Sequence, residues 1–105
     1  MNNAERNVIE AFRRLLARKL QVDELVLFGS RARGDAAPDS DMDILVIIDK
    51  PTEDIEEYVS SCALEAGFEH GIVIVPVVYS KKEWESGPDR VSLLARAIEM
   101  EGIPL

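Results

Sequence analysis

The chain has 105 residues, of which 47% are hydrophobic and 30% are charged, and its formal net charge is -8 at pH 7. These values are typical of folded globular proteins and predict a single domain over residues 1–105. The negative charge argues against binding of duplex DNA or RNA, which requires clustered lysine and arginine, although a local site can still bind a single nucleotide. The only cysteine, Cys62, cannot form an internal disulfide, and residues 1–20 contain neither a signal-peptide core nor a membrane span. We therefore expect a cytoplasmic protein that binds no membrane.

The first half of the chain contains one predicted helix and two predicted strands. Apolar side chains three and four residues apart predict an amphipathic helix over residues 4–19. A short apolar run over residues 25–28 ends at Gly29 and is typical of a strand. Residues 42–48 are rich in β-branched side chains without polar alternation, which predicts a central strand covered on both faces.

The second half contains a predicted helix, a third strand and a last helix. Thr52 is a suitable N-cap for a helix that we expect to end at Gly67. Residues 72–80 form an apolar run in which Pro76 predicts an edge strand or a bulge, because proline cannot donate to a strand ladder. Apolar spacing predicts the last helix over residues 89–101. This order of elements predicts an α/β (α+β) fold, with a small mixed β-sheet of three to four strands flanked by helices.

Two aspartates, Asp41 and Asp43, stand at the entrance of the predicted central strand. Side chains two residues apart on a strand point to the same face of the sheet, so these carboxylates can converge. Hard cations such as Mg²⁺ bind carboxylate oxygens together with phosphate oxygens and water. Either aspartate alone is equally compatible with a turn or cap residue, whereas the pair indicates a metal site for phosphoryl transfer.

A Gly-Ser turn and two arginines precede the aspartates. Gly29 lets the backbone come close to a phosphate, and the hydroxyl of Ser30 is a further possible contact. Arg33, with Arg31 as a second candidate, can neutralise phosphate charge. A Gly-Ser dipeptide alone is a common end of a strand, and exposed arginines are common on any surface. Their combination with the aspartates in one ordered segment is more specific than each part.

The segment GSRARGDAAPDSDMDILV, residues 29–46, resembles the G-S-x-A-R-G and S-D-x-D signature of the DNA polymerase beta-like nucleotidyltransferase superfamily. Its place near the start of a short chain is similar to that in the minimal nucleotidyltransferases, which are often paired with a HEPN protein in toxin-antitoxin modules. The resemblance is specific over about a sixth of the chain, and the element order extends a weaker similarity further.

This resemblance implies the role of each matching residue. Gly29 and Ser30 would bind the nucleotide phosphates, and Arg33 would lie near the triphosphate. Asp41 and Asp43 would be the catalytic residues and would hold Mg²⁺ or Mn²⁺. The implied reaction is attack of an acceptor hydroxyl on the α-phosphate of ATP, with release of pyrophosphate.

One feature of the family is missing from the sequence. The family usually has a third carboxylate on a neighbouring strand, but residues 72–80 contain no acidic residue. Glu69 and His70, which stand just before that strand, are candidates for a third ligand or a general base, although a surface position is the simpler interpretation of both.

Two functional hypotheses therefore stay open. The first is an adenylyltransferase that is the antitoxin of a HEPN-type helical partner and modifies a hydroxyl on it. The second is a nucleotide-binding antitoxin, with weak or no catalysis, that neutralises its partner by contact alone. The acidic residues of the predicted helix after Thr52 and the aromatic side chain of Trp84 are candidate contacts for that partner.

Overall fold

Helices flank a four-stranded sheet in the computed structural model of the protein, which describes residues 1–87 and 92–105. The strand order is β3-β2-β1-β4, with β2 parallel to β3, and β1 antiparallel to both β2 and β4. The elements are α1 Asn3–Ala17, β1 Glu24–Phe28, α2 Ser30–Arg33, β2 Met42–Ile48, α3 Glu53–Phe68, β3 Ile74–Ser80, α4 Lys81–Ser86, α5 Leu93–Glu101 and β4 Ile103–Pro104. The predicted mixed sheet with flanking helices is confirmed.

The strand β2 lies between β1 and β3, as its composition predicts. All of its residues are buried except Asp43, which is only partly exposed. The prediction that Pro76 marks an edge strand is also confirmed, because β3 is the outer strand on its side of the sheet. The Met42 N–H donates to the Val73 carbonyl at 2.8 Å. In a parallel ladder with that register, residue 76 points its backbone nitrogen away from β2, so the missing N–H of Pro76 breaks no bond within the sheet.

Side-chain caps explain where the long helices begin. The Asn2 side chain accepts from the Glu5 N–H, and the Glu5 carboxylate accepts from the Asn2 N–H, a reciprocal capping box at the start of α1. Thr52 caps α3 as predicted. Ser92 caps α5, and the earlier predicted start at Asp89 lies outside the described residues.

The predicted end of α3 at Gly67 is wrong, because the helix continues to Phe68. Gly67 is instead a point of close approach, since a Cβ there would overlap the Ile72 carbonyl oxygen. The chain turns back immediately after the helix, and the Ile72 N–H donates to the Gly67 carbonyl at 3.1 Å. The turn itself contains Gly71, with φ +63°.

The sheet has a core on each face. One face packs against α1 and α3 and holds the larger core, which includes Phe12, Leu16, Met42, Ile44, Val46 and Val59. The other face packs against α4 and α5, where a smaller core is formed by Phe28, Leu45, Ile47 and Ile98. Because side chains alternate along β2, Asp43 points to the same face as Leu45 and Ile47.

The helix α4 and the strand β4 have no counterpart in the sequence-based prediction. A reciprocal capping box of Ser80 and Glu83 begins α4, where Trp84 packs against Tyr79 with ring centroids 5.3 Å apart. The two residues of β4 pair with β1. The chain therefore returns to the sheet directly after α5, where the sequence predicts only the end of a helix. Within the described chain, no helix has both the length and the apolar character needed to cross a membrane.

Candidate functional site

The turn between β1 and α2 is built on glycine. Gly29 has φ +79° and ψ -160°, a combination that is essentially restricted to glycine. A Cβ at this position would collide with the Asp43 carboxylate, so glycine is required by both the backbone angles and the space. Ser30 begins the single turn of α2, and Gly34, with φ +82°, ends it. The predicted helical turn is therefore present, and it brings the Gly-Ser backbone against the first residues of β2.

The two aspartates lie together at the entrance of β2. Asp43 is opposite Phe28 in the β1–β2 ladder, which explains why its carboxylate reaches Gly29. Burial raises the pKa of the Asp43 carboxyl above its ordinary value of 3.8, the negative charge of Asp41 raises it further, and the positive charge of Arg33 lowers it. The charges of Asp41 and Arg33 therefore both act on the Asp43 carboxyl, in opposite directions.

This arrangement fits a magnesium ion that shares its ligands with a substrate. Among residues 1–87 and 92–105, no group of three histidine, cysteine or acidic side chains is close enough to hold a metal ion. Mg²⁺, however, is usually bound by one or two carboxylates, with water and substrate phosphate oxygens as the remaining ligands. The partly buried carboxylate of Asp43 and the exposed carboxylate of Asp41, whose charges repel each other, are a suitable pair for such a cation.

Arg33 and Glu101 face each other beside the Gly-Ser turn. The Arg33 Nη1 lies 3.2 Å from both carboxylate oxygens of Glu101, and its Nε lies 3.2 Å from Asp35 Oδ2. The hydrogen bond to Asp35, followed by that to Glu101, raises the pKa of the Arg33 guanidinium. The Gly29 N–H also donates to Glu101 Oε1, at 3.3 Å. The Glu101 carboxylate thus already accepts hydrogen bonds from two of the predicted phosphate-binding residues, Gly29 and Arg33.

Arg31 has a different environment from Arg33, although both belong to α2. Its side chain is buried and forms a salt bridge of 3.1 Å with Glu5, which is also buried. The same guanidinium donates to the carbonyls of Pro38 and Ser40, with Nη2 at 2.7 Å from the Ser40 oxygen. Arg31 is therefore not available as a second phosphate ligand. It holds the loop that leads to Asp41.

Glu69 and His70 lie on the other side of the sheet from Asp43. Both line the groove between α1 and α3, next to Arg14 and Arg18. Since α1 and α3 cover the face opposite to the one that carries Asp43, neither side chain joins the aspartates. The residue of β3 directly opposite Asp43 is Val75, so the position nearest to the aspartate in that strand is apolar.

Glu101 is the residue of this site that sequence patterns do not reveal. The strand β4 pairs antiparallel with β1, and Ile103 is opposite Leu27. Extending this register by two residues sets Glu101 opposite Gly29, which agrees with the hydrogen bond between them. In the sequence, Glu101 is only the last residue of an amphipathic helix, and nothing there distinguishes it from Glu99.

Known proteins resemble the chain in sequence and in fold. A family model described as "Nucleotidyltransferase domain" matches residues 6–102. A curated protein of Methanocaldococcus jannaschii, named "Putative protein adenylyltransferase", is 34% identical over 64 residues. That match covers 60% of this chain and 65% of the relative, which is less than two thirds of the relative's length.

One solved structure has the same fold over nearly the whole chain. It is described as "Crystal structure of the toxin-antitoxin with AMP-PNP", and it matches with a TM-score of 0.66 at 20% identity. The match covers 98% of this chain and 72% of that chain. At this identity the likeness confirms the fold, with its mixed sheet flanked by helices.

Proposed function

Because the chain belongs to the nucleotidyltransferase domain family, as its signature predicts, we propose that it transfers AMP from ATP to a hydroxyl group of a partner protein. The observation that carries the proposal is the packing of the Gly29 backbone against the Asp43 carboxylate, with Asp41 beside it. This contact joins the two halves of the signature, so a triphosphate held at the turn would also meet the aspartates.

Each site residue has a proposed role. Gly29 and Ser30 bind the phosphates at the turn, and Arg33 neutralises their charge. Asp41 and Asp43 hold Mg²⁺, or Mn²⁺ in its place, and orient the α-phosphate. A bound metal ion supplies positive charge to the phosphate oxygens at this position. In the proposed reaction the acceptor oxygen bonds to the α-phosphorus, the bond from that phosphorus to the oxygen bridging the α- and β-phosphates breaks, the hydroxyl proton passes to water, and pyrophosphate leaves.

Catalysis by these residues is mainly positioning and charge neutralisation. Burial and the nearby charge of Asp41 raise the pKa of Asp43. A cation bound at this point would lower that pKa again, because it favours the charged carboxylate. The absence of an acidic residue opposite Asp43, where β3 has Val75, keeps the contact-only antitoxin as the alternative function.

We further propose that the partner is a helical toxin of the HEPN type and that it binds a groove between α3 and β3. The groove has a volume of about 560 Å³ and is lined mainly by apolar side chains. Several of these are unusually exposed for their size: Leu64, Phe68, Val73 and Val75. Val75 is opposite Asp43 in the sheet and neighbouring strands are about 4.8 Å apart, so the β3 edge of the groove is one strand away from Asp43, although α3 covers the other face of the sheet.

Charge favours a basic partner over a second copy of this chain. Ser60 lines the groove and also borders an acidic surface formed by Glu53, Glu56 and Glu57. A second copy, with its own net charge of -8, would be repelled there, whereas a helix with apolar side chains next to lysine or arginine would be attracted. A cytoplasmic setting is part of the proposal, and the buried free thiol of Cys62 is compatible with a reducing compartment.

The decisive experiment incubates the protein with Mg-ATP and a HEPN-type protein encoded beside it, and measures the intact mass of that partner. We expect the mass to rise by one AMP, and the Asp43→Asn variant to abolish the rise while Asp39→Asn, an exposed acid of the same loop, preserves it. Calorimetry should show that Asp43→Asn also weakens metal-dependent binding of ATP.

Two other outcomes would change the assignment. A partner that binds without any gain in mass would favour the contact-only antitoxin. Equal ATP affinity with Mg²⁺ and with a chelator would contradict the proposed role of the aspartates. For the groove, Phe68→Lys should weaken the complex, whereas Leu93→Lys, which alters an exposed apolar side chain of α5, should not.

A further inference from the structure

The carboxylate of Glu101 occupies two of the donors that we assign to the triphosphate. It accepts from the Gly29 N–H and from Arg33 Nη1, at 3.3 and 3.2 Å. We propose that Glu101 is an internal competitor for this phosphate site: it holds the donors in the free protein and is displaced when a polyphosphate binds. This inference rests on the proposed function, which assigns Gly29 and Arg33 to the phosphates.

The position of Glu101 is determined by the backbone around it. Ile98, one turn earlier in α5, is buried in the smaller core, and Ile103, two residues later, pairs with Leu27 of β1. Glu101 lies between these two fixed residues and next to the Gly29 turn. Its side chain is 20% exposed, against 46% for Arg33, so the carboxylate is partly enclosed while the arginine can follow an incoming anion.

A carboxylate and a phosphate compete for the same kind of donor. Both accept short, charge-assisted hydrogen bonds from backbone N–H groups and guanidinium groups. The Gly29 N–H has a single hydrogen, so it cannot donate fully to both acceptors. A triphosphate that approached with Glu101 in place would also meet a like charge at close range. Binding therefore includes the cost of moving Glu101, and the measured affinity is lower than that of the open site.

A Glu101 that competes with the phosphates and a Glu101 that supports Arg33 predict opposite effects on polyphosphate binding. If Glu101 only oriented Arg33 for phosphate binding, removing its charge would weaken the binding of polyphosphates. If Glu101 competes, removing its charge strengthens that binding. Adenosine, which has no phosphate, should be insensitive in either case, because it makes no use of these donors.

The test compares the wild-type protein with Glu101→Gln and with Glu101→Ala, a second variant that removes the carboxylate altogether. Glu99→Gln removes the same charge two residues away in α5 and is the matched control. The ligands are inorganic tripolyphosphate in the presence of a chelator, Mg-ATP, and adenosine, each measured by calorimetry. We expect both Glu101 variants to bind tripolyphosphate at least about fivefold more tightly, the lower end of usual coupling between sites, and Glu99→Gln to match the wild type.

The outcomes separate this inference from the proposed function. Unchanged or weaker tripolyphosphate binding in both Glu101 variants would overturn the competition, even if Mg-ATP binds well. Tighter tripolyphosphate binding in the variants, with no binding of Mg-ATP to any protein, would support the competition and contradict the proposed nucleotidyl transfer.

Discussion

The two faces of the sheet differ in size and in polarity, although they share the same strands. The face under α1 and α3 receives Met42, Ile44 and Val46 from β2, and it is apolar throughout that strand. The opposite face receives Leu45 and Ile47, but also the partly buried Asp43. Burial of Asp43 and its neighbour Asp41 raise its pKa, which means that its charged form costs folding free energy. The burial of apolar side chains in the larger core can offset the folding free energy that the polar site on the other face costs.

The largest expected effect comes from a pair of phenylalanines, one on each face. Phe12 is fully buried in the larger core, whereas Phe28 retains 8% exposure in the smaller one. We expect Phe12→Ala to reduce the free energy of unfolding by about 5 kcal/mol and Phe28→Ala by about 3 kcal/mol, the two ends of the usual range for this substitution. Chemical denaturation of the two variants measures the difference. Equal losses would mean that the faces contribute equally to stability.

A smaller effect is expected from the Glu5–Arg31 ion pair, which connects α1 on one face to the loop that leads to the aspartates. Glu5→Gln leaves the buried Arg31 without its charged partner, so we expect a loss of about 3 kcal/mol at pH 7. Glu10→Gln, an exposed acid of the same helix, is the control and should change stability by less than about 0.5 kcal/mol.

The loss at Glu5 should depend on pH. Burial raises the pKa of the Glu5 carboxyl, but hydrogen bonds from the Asn2 N–H and Arg31, with the charge of Arg31, lower it more, so it lies below 4.5. A lowered pKa stabilises the folded state above 4.5 and ceases to do so as the pH falls through the folded-state value. The unfolding curves of the wild type and Glu5→Gln should therefore approach each other in acid. A gap that stays constant down to pH 2 would exclude this linkage.

The smallest expected effect is a difference in stability between variants of Gly29 and Gly34, the glycines at the two ends of α2. Gly29→Ala introduces both a strained backbone conformation and a collision with the Asp43 carboxylate, and we expect it to cost about 2 kcal/mol. Gly34→Ala meets open space and bears only the cost of a left-handed conformation, about 1 kcal/mol. Thermal unfolding gives the stabilities, and calorimetry with Mg-ATP gives the second readout. Only Gly29→Ala should weaken nucleotide binding, and a comparable weakening by Gly34→Ala would contradict the assignment of the site to the Gly29 turn.

Local patterns in the sequence were sufficient for much of this fold. The bounds of β2 match the apolar run over residues 42–48, and Thr52 caps its helix, because burial on two faces and N-terminal capping each leave a signal within a few residues. The alternation of side chains along a strand is the local signal that paired Asp41 with Asp43, although in the structure Asp41 stands just before β2 and is exposed.

Contacts between distant residues could not be predicted in this way. Arg31 and Arg33 are two residues apart in the same turn, yet one is buried against Glu5 and the other faces Glu101, at separations of 26 and 68 residues. Glu69 precedes the strand beside Asp43 but faces the groove between α1 and α3. Each outcome depends on which face of the sheet a helix covers, and that choice has no local signature.

The sequence by itself determined all elements except α4 and β4, the family, and the segment that carries Gly29, Ser30, Arg33, Asp41 and Asp43, because periodicity, capping and turn chemistry act over short distances. Only the tertiary structure decided that Glu101 lies against Gly29. The two residues of β4 are too few to give a pattern, and their pairing with β1 depends on how α5 packs on the smaller core. Hydrogen bonds between segments about 70 residues apart are set by packing of the whole chain, since no local preference extends that far.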